Sequence, residues 1–155
     1  MSSTKTTITT NSAADTTRLG ELLASRLSGS DTIELMGDLG AGKTQLVRGL
    51  AAGVDSPDQV QSPSFMLQRV YDGQPYGIHH FDFYRLNEPG VMLDELRESL
   101  EDPDVLVAIE WAKSTRHILP DTTVSITIEP LGENSRRFTI KGIENIQEVV
   151  DDFND

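Results

Sequence analysis

The stretch Thr32-Ile33-Glu34-Leu35-Met36-Gly37-Asp38-Leu39-Gly40-Ala41-Gly42-Lys43-Thr44-Gln45-Leu46-Val47-Arg48-Gly49-Leu50-Ala51 decides the fold. Its first five residues are a short apolar run of strand type, and from Lys43 onward Leu46, Val47, Leu50 and Ala51 recur on one face at helical spacing. Between the two patterns, Gly37 to Thr44 fits G-x-x-x-x-G-K-[ST] at every position. The glycines at 37, 40 and 42 permit backbone conformations closed to other residues, so successive N–H groups can turn inward on phosphate oxygens. The positive end of the following helix adds to that field, Lys43 can reach the β and γ phosphates, and the Thr44 hydroxyl is placed to ligate magnesium. A nucleoside triphosphate with Mg2+ is the expected ligand, and Asp38, Leu39, Gly40, Ala41, Gly42, Lys43, Thr44 and Gln45 are the candidate contacts in this segment. The competing reading, a glycine-rich turn with a solvated lysine, is disfavoured by Gly-Lys-Thr standing in register after a strand.

Composition bounds the rest. At 155 residues the chain is expected to form one domain, 1–155, able to bury about two thirds of the surface its unfolded form exposes. There is no cysteine, which excludes disulfides, thiolate nucleophiles and zinc–thiolate sites. A net charge of −12 opposes the phosphate backbone, so direct, strong nucleic-acid binding is disfavoured. No apolar run approaches the ~18 residues of a membrane span and the opening residues lack the apolar stretch of a secretory signal, so a cytoplasmic location away from membranes is expected. Residues 142–155 carry Glu144, Glu148, Asp151, Asp152 and Asp155 with no basic residue; Ile143, Ile146, Val149, Val150 and Phe153 fall on one helical face, so this acidic tail is expected to dock as a short amphipathic helix.

Elsewhere the pattern alternates between strand and helix. The first ten residues are Ser/Thr-rich and approach low complexity; a helix is expected from Asn11 and Ser12, with Asp15 three residues on in an approximate capping box and Leu19, Leu22, Leu23 and Leu27 on its apolar face. Residues 65 to 82 read as a hairpin around Asp72-Gly73, and Leu93, Leu96 and Leu100 mark a second helical stretch. Val105 to Ile109 is a continuous apolar run, as in a strand buried on both faces of a parallel sheet. Val124, Ile126 and Ile128, then Arg137 to Ile140, read as late strands. The fold class expected is a three-layer α/β P-loop domain whose sheet has a parallel centre and an antiparallel hairpin.

Glu110 ends the buried run, where a loop of this kind has a carboxylate near its metal; a magnesium-holding or water-ordering role is favoured over a helix cap or surface ion pair. Trp111 beside it is divided between core and ligand contact. His80 and Asp82 share one strand face and His79 the other; two histidines so spaced are more often structural. Asp82 has two readings of equal weight, an orienter of attacking water or magnesium, and a partner of Arg85.

Gly37 to Thr44, Ser62-Pro63-Ser64-Phe65, His80-Phe81-Asp82-Phe83-Tyr84-Arg85-Leu86, Ile109-Glu110-Trp111 and Ile118-Leu119-Pro120 stand in the order and near the spacing of the TsaE (YjeE) family of bacterial ATPases, which this chain resembles over most of its length. The resemblance implies a magnesium-dependent ATPase that supports the TsaB and TsaD proteins in making threonylcarbamoyladenosine beside the tRNA anticodon, touching tRNA only indirectly. It further implies that Thr44 and Glu110 hold magnesium, that Lys43, Asp82 and Glu110 serve hydrolysis, that Ser62 and Ser64 form a switch near the γ phosphate, and that Asn11 and Arg136 flank the adenine. One departure stands out: Lys113 occupies a position where the family usually has an acid. Two rivals remain, a small-molecule kinase, for which the segment between Leu86 and His117 offers only Arg97 and Arg116 as lid arginines, and a nucleotide-gated binding module with vestigial hydrolysis.

Overall fold

A computed structural model of the chain describes residues 5–38, 42–61, 67–84 and 90–155. In chain order its elements are β1 (Lys5–Thr10), α1 (Ala13–Ala24), β2 (Thr32–Met36), α2 (Lys43–Gly53), β3 (Gln68–Tyr71), β4 (Gly77–Asp82), α3 (Gly90–Glu101), β5 (Val105–Glu110), β6 (Val124–Pro130), β7 (Arg136–Lys141) and α4 (Ile146–Asn154). Two single-turn 3₁₀ segments, Ala112–Ser114 and Arg116–Ile118, follow β5. The strands form one sheet in the order β1-β7-β6-β2-β5-β4-β3. Its centre, β6-β2-β5-β4, is parallel, while β3 pairs antiparallel with β4 and β7 lies antiparallel to both β6 and β1.

Alternation along the strands builds two cores. Ile33 and Leu35 of β2, Leu106 and Ala108 of β5, Ile78 of β4 and Val124, Ile126 and Ile128 of β6 face one side, where they join Leu19 and Leu23 of α1 and Leu46, Val47 and Leu50 of α2. The odd-numbered residues of β5, Val105, Val107 and Ile109, face the other side with Phe81, Phe83 and Leu96 of α3. All six residues of β5 are buried, which is why its run is continuously apolar. Helices on both faces of a mixed sheet give the expected three-layer α/β arrangement.

The Ser/Thr-rich start, to which the sequence pattern assigns no element, contains an edge strand, Lys5–Thr10. Threonine is β-branched and suits a pleated edge; Ile8 pairs with Phe138 and is buried, and the Thr10 hydroxyl meets that of Thr16 at 2.9 Å. The first helix starts as its cap predicts, with Ser12 Oγ accepting from the Asp15 N–H at 3.0 Å and Asp15 Oδ2 accepting from the Asn11 N–H at 3.0 Å.

α1 and α2 approach at backbone distance through two glycines. A Cβ on Gly49 would lie 2.2 Å from the Thr17 carbonyl oxygen, and one on Gly20 would lie 2.6 Å from that of Leu46. Gly49→Ala is therefore expected to cost about 1–3 kcal/mol through overpacking, even though alanine is the better helix former by up to about 1 kcal/mol. Urea denaturation measures this; Gly132→Ala, with nothing within 4 Å of the added carbon, should leave the midpoint unchanged. A Gly49→Ala midpoint equal to or above that of the parent would refute the close crossing.

The acidic tail folds as α4 and packs Ile146 and Val149 against the α1 side of the sheet. Arg18 donates to the carbonyls of Phe153 and Asp152 at 2.7 and 2.6 Å, and its guanidinium lies 5.0 Å from the centre of the Phe153 ring. A cation thus sits on the negative end of the helix dipole.

Candidate nucleotide site at the carboxyl edge of the sheet

The parallel strands turn polar as they end. β4 runs Ile78, His80, Asp82 and β5 runs Leu106, Ala108, Glu110 along the same face, so the positions that are apolar in mid-sheet become His80, Asp82 and Glu110 at the carboxyl edge. Asp82 and Leu35 both pair in register with Glu110, from the strands on either side of it. The α2 N-terminus covers this edge. Gly42 is its N-cap at φ 113°, a left-handed conformation that favours glycine. The N–H groups of the first turn have no acceptor within the helix, as at any helix start.

Lys43 is buried, although a free phosphate-loop lysine would be solvated. Its Nζ donates to the Gly37 carbonyl at 2.6 Å, stands 3.7 Å from Glu110 Oε1 and lies 4.7 Å from the centre of the Trp111 ring. Glu110 is equally buried, and His80 Nε2 lies 2.5 Å from its other oxygen, Oε2. Trp111 adopts φ 58°, ψ 50°, a left-handed conformation costing about 1–3 kcal/mol in a residue other than glycine. That turn sets its ring against Lys43 and against Tyr84, whose centroid is 4.7 Å away. Asp82 is buried and accepts from the Tyr84 N–H at 2.9 Å through Oδ1.

Lys43, Asp82, Glu110 and Trp111 thus come together, and Thr44 lies half-buried in the first turn of α2. Asp38 is exposed at the end of the described part of the loop. Gln45 turns its side chain to α1, where Nε2 donates to Thr17 Oγ1 at 2.6 Å, so its backbone N–H is what remains for a phosphate. Asn11 and Arg136 come from distant parts of the chain to the same flank: Asn11 Oδ1 accepts from Ser135 Oγ at 3.1 Å, and a Cβ on Gly42 would lie 3.6 Å from Arg136 Nε. Leu39, Gly40, Ala41, Ser62, Ser64 and Arg85 lie outside the described residues.

Three features escaped the sequence reading. His80 contacts the candidate acid directly, whereas His79 turns to the opposite face and lies 2.7 Å from Ser99 Oγ of α3; burial lowers the His79 pKa against the pull of Asp102 and Glu98. Glu34 of β2 accepts from Arg116 Nε and Nη2 at 2.8 and 2.6 Å, which raises the guanidinium's pKa and closes one wall of a cavity of about 210 Å³ beside Met36, Trp111 and exposed Lys113. Tyr84 is exposed despite its ring contact. A larger cavity of about 480 Å³ lies at the opposite, amino edge among Asp55, Asp72, His79 and Asp104, away from the convergent residues.

Parallel strands delivering carboxylates to a glycine-capped helix, with a lysine in its first turn, define a P-loop NTPase-like α/β domain. Within that class the chain belongs to the TsaE family: residues 10–138 match the model of the family described as threonylcarbamoyl adenosine biosynthesis protein TsaE. The tRNA threonylcarbamoyladenosine biosynthesis protein TsaE of Rickettsia conorii is 34% identical over 134 residues, covering 85% of this chain and 75% of the relative. The protein of that name from Treponema pallidum is 33% identical over 129 residues, 83% of this chain and 95% of its own length, and that of Bacillus subtilis is 30% identical over 136 residues, 88% and 85%. The crystal structure of YdiB from Bacillus subtilis superposes with a TM-score of 0.75 at 22% identity over 99% of this chain and 97% of the other, which establishes the shared fold.

Proposed function

We propose that this chain is a magnesium-dependent ATPase that supports a TsaB–TsaD complex in threonylcarbamoyladenosine modification of tRNA. The observation that carries the reading is the convergence of Lys43, Asp82 and Glu110 at the start of α2, within a member of the TsaE family. The donors fit magnesium, a hard cation that takes oxygen ligands: the Thr44 hydroxyl and the Glu110 carboxylate would hold it. Bound there, the ion would neutralise phosphate charge. The chain's own residues do the rest. Lys43 exchanges the Gly37 carbonyl for phosphate oxygens, first-turn N–H groups bind the same anion, and Asp82 orients the attacking water. Asn11 and Arg136 flank the base, a role supported by the Arg136 side chain standing next to Gly42 and by Asn11 accepting from Ser135, the residue before Arg136.

A charge of −12 repels tRNA, so the basic surface must come from the partners. Among the described residues, no helix is long and apolar enough to cross a membrane. Lys113, exposed where the family usually has an acid, favours the second reading, a nucleotide-gated binding module with little hydrolysis of its own.

Trp111 reports on occupancy. Because Lys43 rests against its ring, drawing the ammonium to phosphate should change the emission of the only tryptophan. Titration with ATP and Mg2+ should give a saturable fluorescence shift accompanied by slow phosphate release. Saturable binding by calorimetry with unchanged fluorescence would contradict this arrangement, and absence of binding would reject the proposed function.

A further inference from the structure

His80 is fully buried on β4, its Nε2 lies 2.5 Å from Glu110 Oε2, and its Nδ1 has no hydrogen-bond partner among the described residues. These observations determine where the hydrogen sits. Glu110 Oε1 faces the Lys43 ammonium at 3.7 Å, which suits a carboxylate, and two lone pairs cannot meet at 2.5 Å, so Nε2 carries the hydrogen and donates it. The partnerless Nδ1 then holds only a lone pair, a smaller loss than a buried N–H with no acceptor.

This contact divides the work of the two carboxylate oxygens. Oε2 is held by a rigid donor from the neighbouring strand, and Oε1 alone is left for the site. Among the described residues the other contact of the Glu110 carboxylate is Lys43, the residue that must turn to phosphate when nucleotide enters. Without His80, that departure would leave the buried carboxylate with no donor shown among the described residues. We infer that His80 is a positioning residue: its Nε2–H fixes Glu110 so that Oε1 stays directed at the cation site after Lys43 has moved to the nucleotide. The inference rests on the reading of Glu110 as a magnesium-holding acid. It places on a histidine the role that outer donors play at metal sites, where their loss weakens metal affinity by about 10–100-fold.

The test measures Mn2+ affinity, by the loss of the free-ion magnetic resonance signal, in full-length chain saturated with a non-hydrolysable ATP analogue. His80→Gln carries its amide nitrogen near the Nε2 position and His80→Asn falls short of it, so Gln should keep Mn2+ affinity within about threefold of the parent and Asn should lose about tenfold or more. Nucleotide affinity without metal should be unchanged in both. Glu110→Gln is the control: if it leaves Mn2+ affinity intact, the metal-holding reading fails and the inference with it, whereas a weakened Glu110→Gln beside an unaffected, folded His80→Asn overturns the inference alone. Equal losses in Gln and Asn also overturn it, because the donor would then not be what matters. If the variants do not fold, the 15N spectrum of His80 in the unaltered chain decides, with hydrogen on Nε2 expected and hydrogen on Nδ1 contradicting the assignment.

Discussion

Lys43→Ala is expected to abolish ATP hydrolysis and to weaken nucleotide binding by about ten- to a hundredfold, the range for losing a charged hydrogen-bond donor of roughly 1.5–3 kcal/mol. Lys43 contacts both the carbonyl of Gly37 and the carboxylate of Glu110, a pairing no other described cation shares. The burial of its side chain adds a second consequence. Truncation removes a contact from Trp111 and the cation facing Glu110, so the variant should fold with somewhat reduced stability while His80 still holds the carboxylate. Calorimetric titration with ATP beside circular dichroism separates the two effects. A folded variant with unchanged affinity and turnover would remove Lys43 from the site.

Glu110→Gln should slow hydrolysis by about a hundredfold, equivalent to roughly 2.7 kcal/mol of barrier, and should harm binding much less. The substitution keeps the shape of a fully enclosed side chain and removes its charge. The amide oxygen can still accept from His80, but the amide nitrogen then points its hydrogens toward Lys43, a donor facing a donor across a gap of 3.7 Å in the parent. Metal-holding capacity falls because an amide is a weaker ligand for a hard cation than a carboxylate. Phosphate release under single-turnover conditions, with nucleotide affinity measured in parallel, reads both quantities. Equal losses in binding and turnover would point to a structural role for Glu110.

The elements legible in advance were those whose signal is local. The strand β2, the helix α2 and the five-residue apolar run that leads to Glu110 in β5 were visible as runs or periods, and the two strands lie in the parallel centre of the sheet. β1 was not, because five of its six residues are polar and its strand character comes from β-branching and from pairing with β7, more than a hundred residues away. Gly20 and Gly49 carry no local signal, and their role shows only where the two helices touch. At the site, Glu110 could be picked out by its place at the end of a buried run. The partnership of His80 with Glu110 depends on the register of β4 against β5, and the Glu34–Arg116 pair joins residues eighty-two positions apart. Neither leaves a trace in local spacing.

The central claim is that this chain hydrolyses ATP in the service of partner proteins that modify tRNA. Reconstitution tests it most directly: the purified chain is mixed with TsaB and TsaD from the same organism and with tRNA, and phosphate release and threonylcarbamoyl transfer are followed together. The account predicts weak turnover by the chain alone, negligible tRNA retention by it at physiological salt, and nucleotide-dependent association with the partners that raises both phosphate release and transfer. Tight tRNA binding by the isolated chain, or partners that alter neither activity, would contradict it and favour a small-molecule kinase.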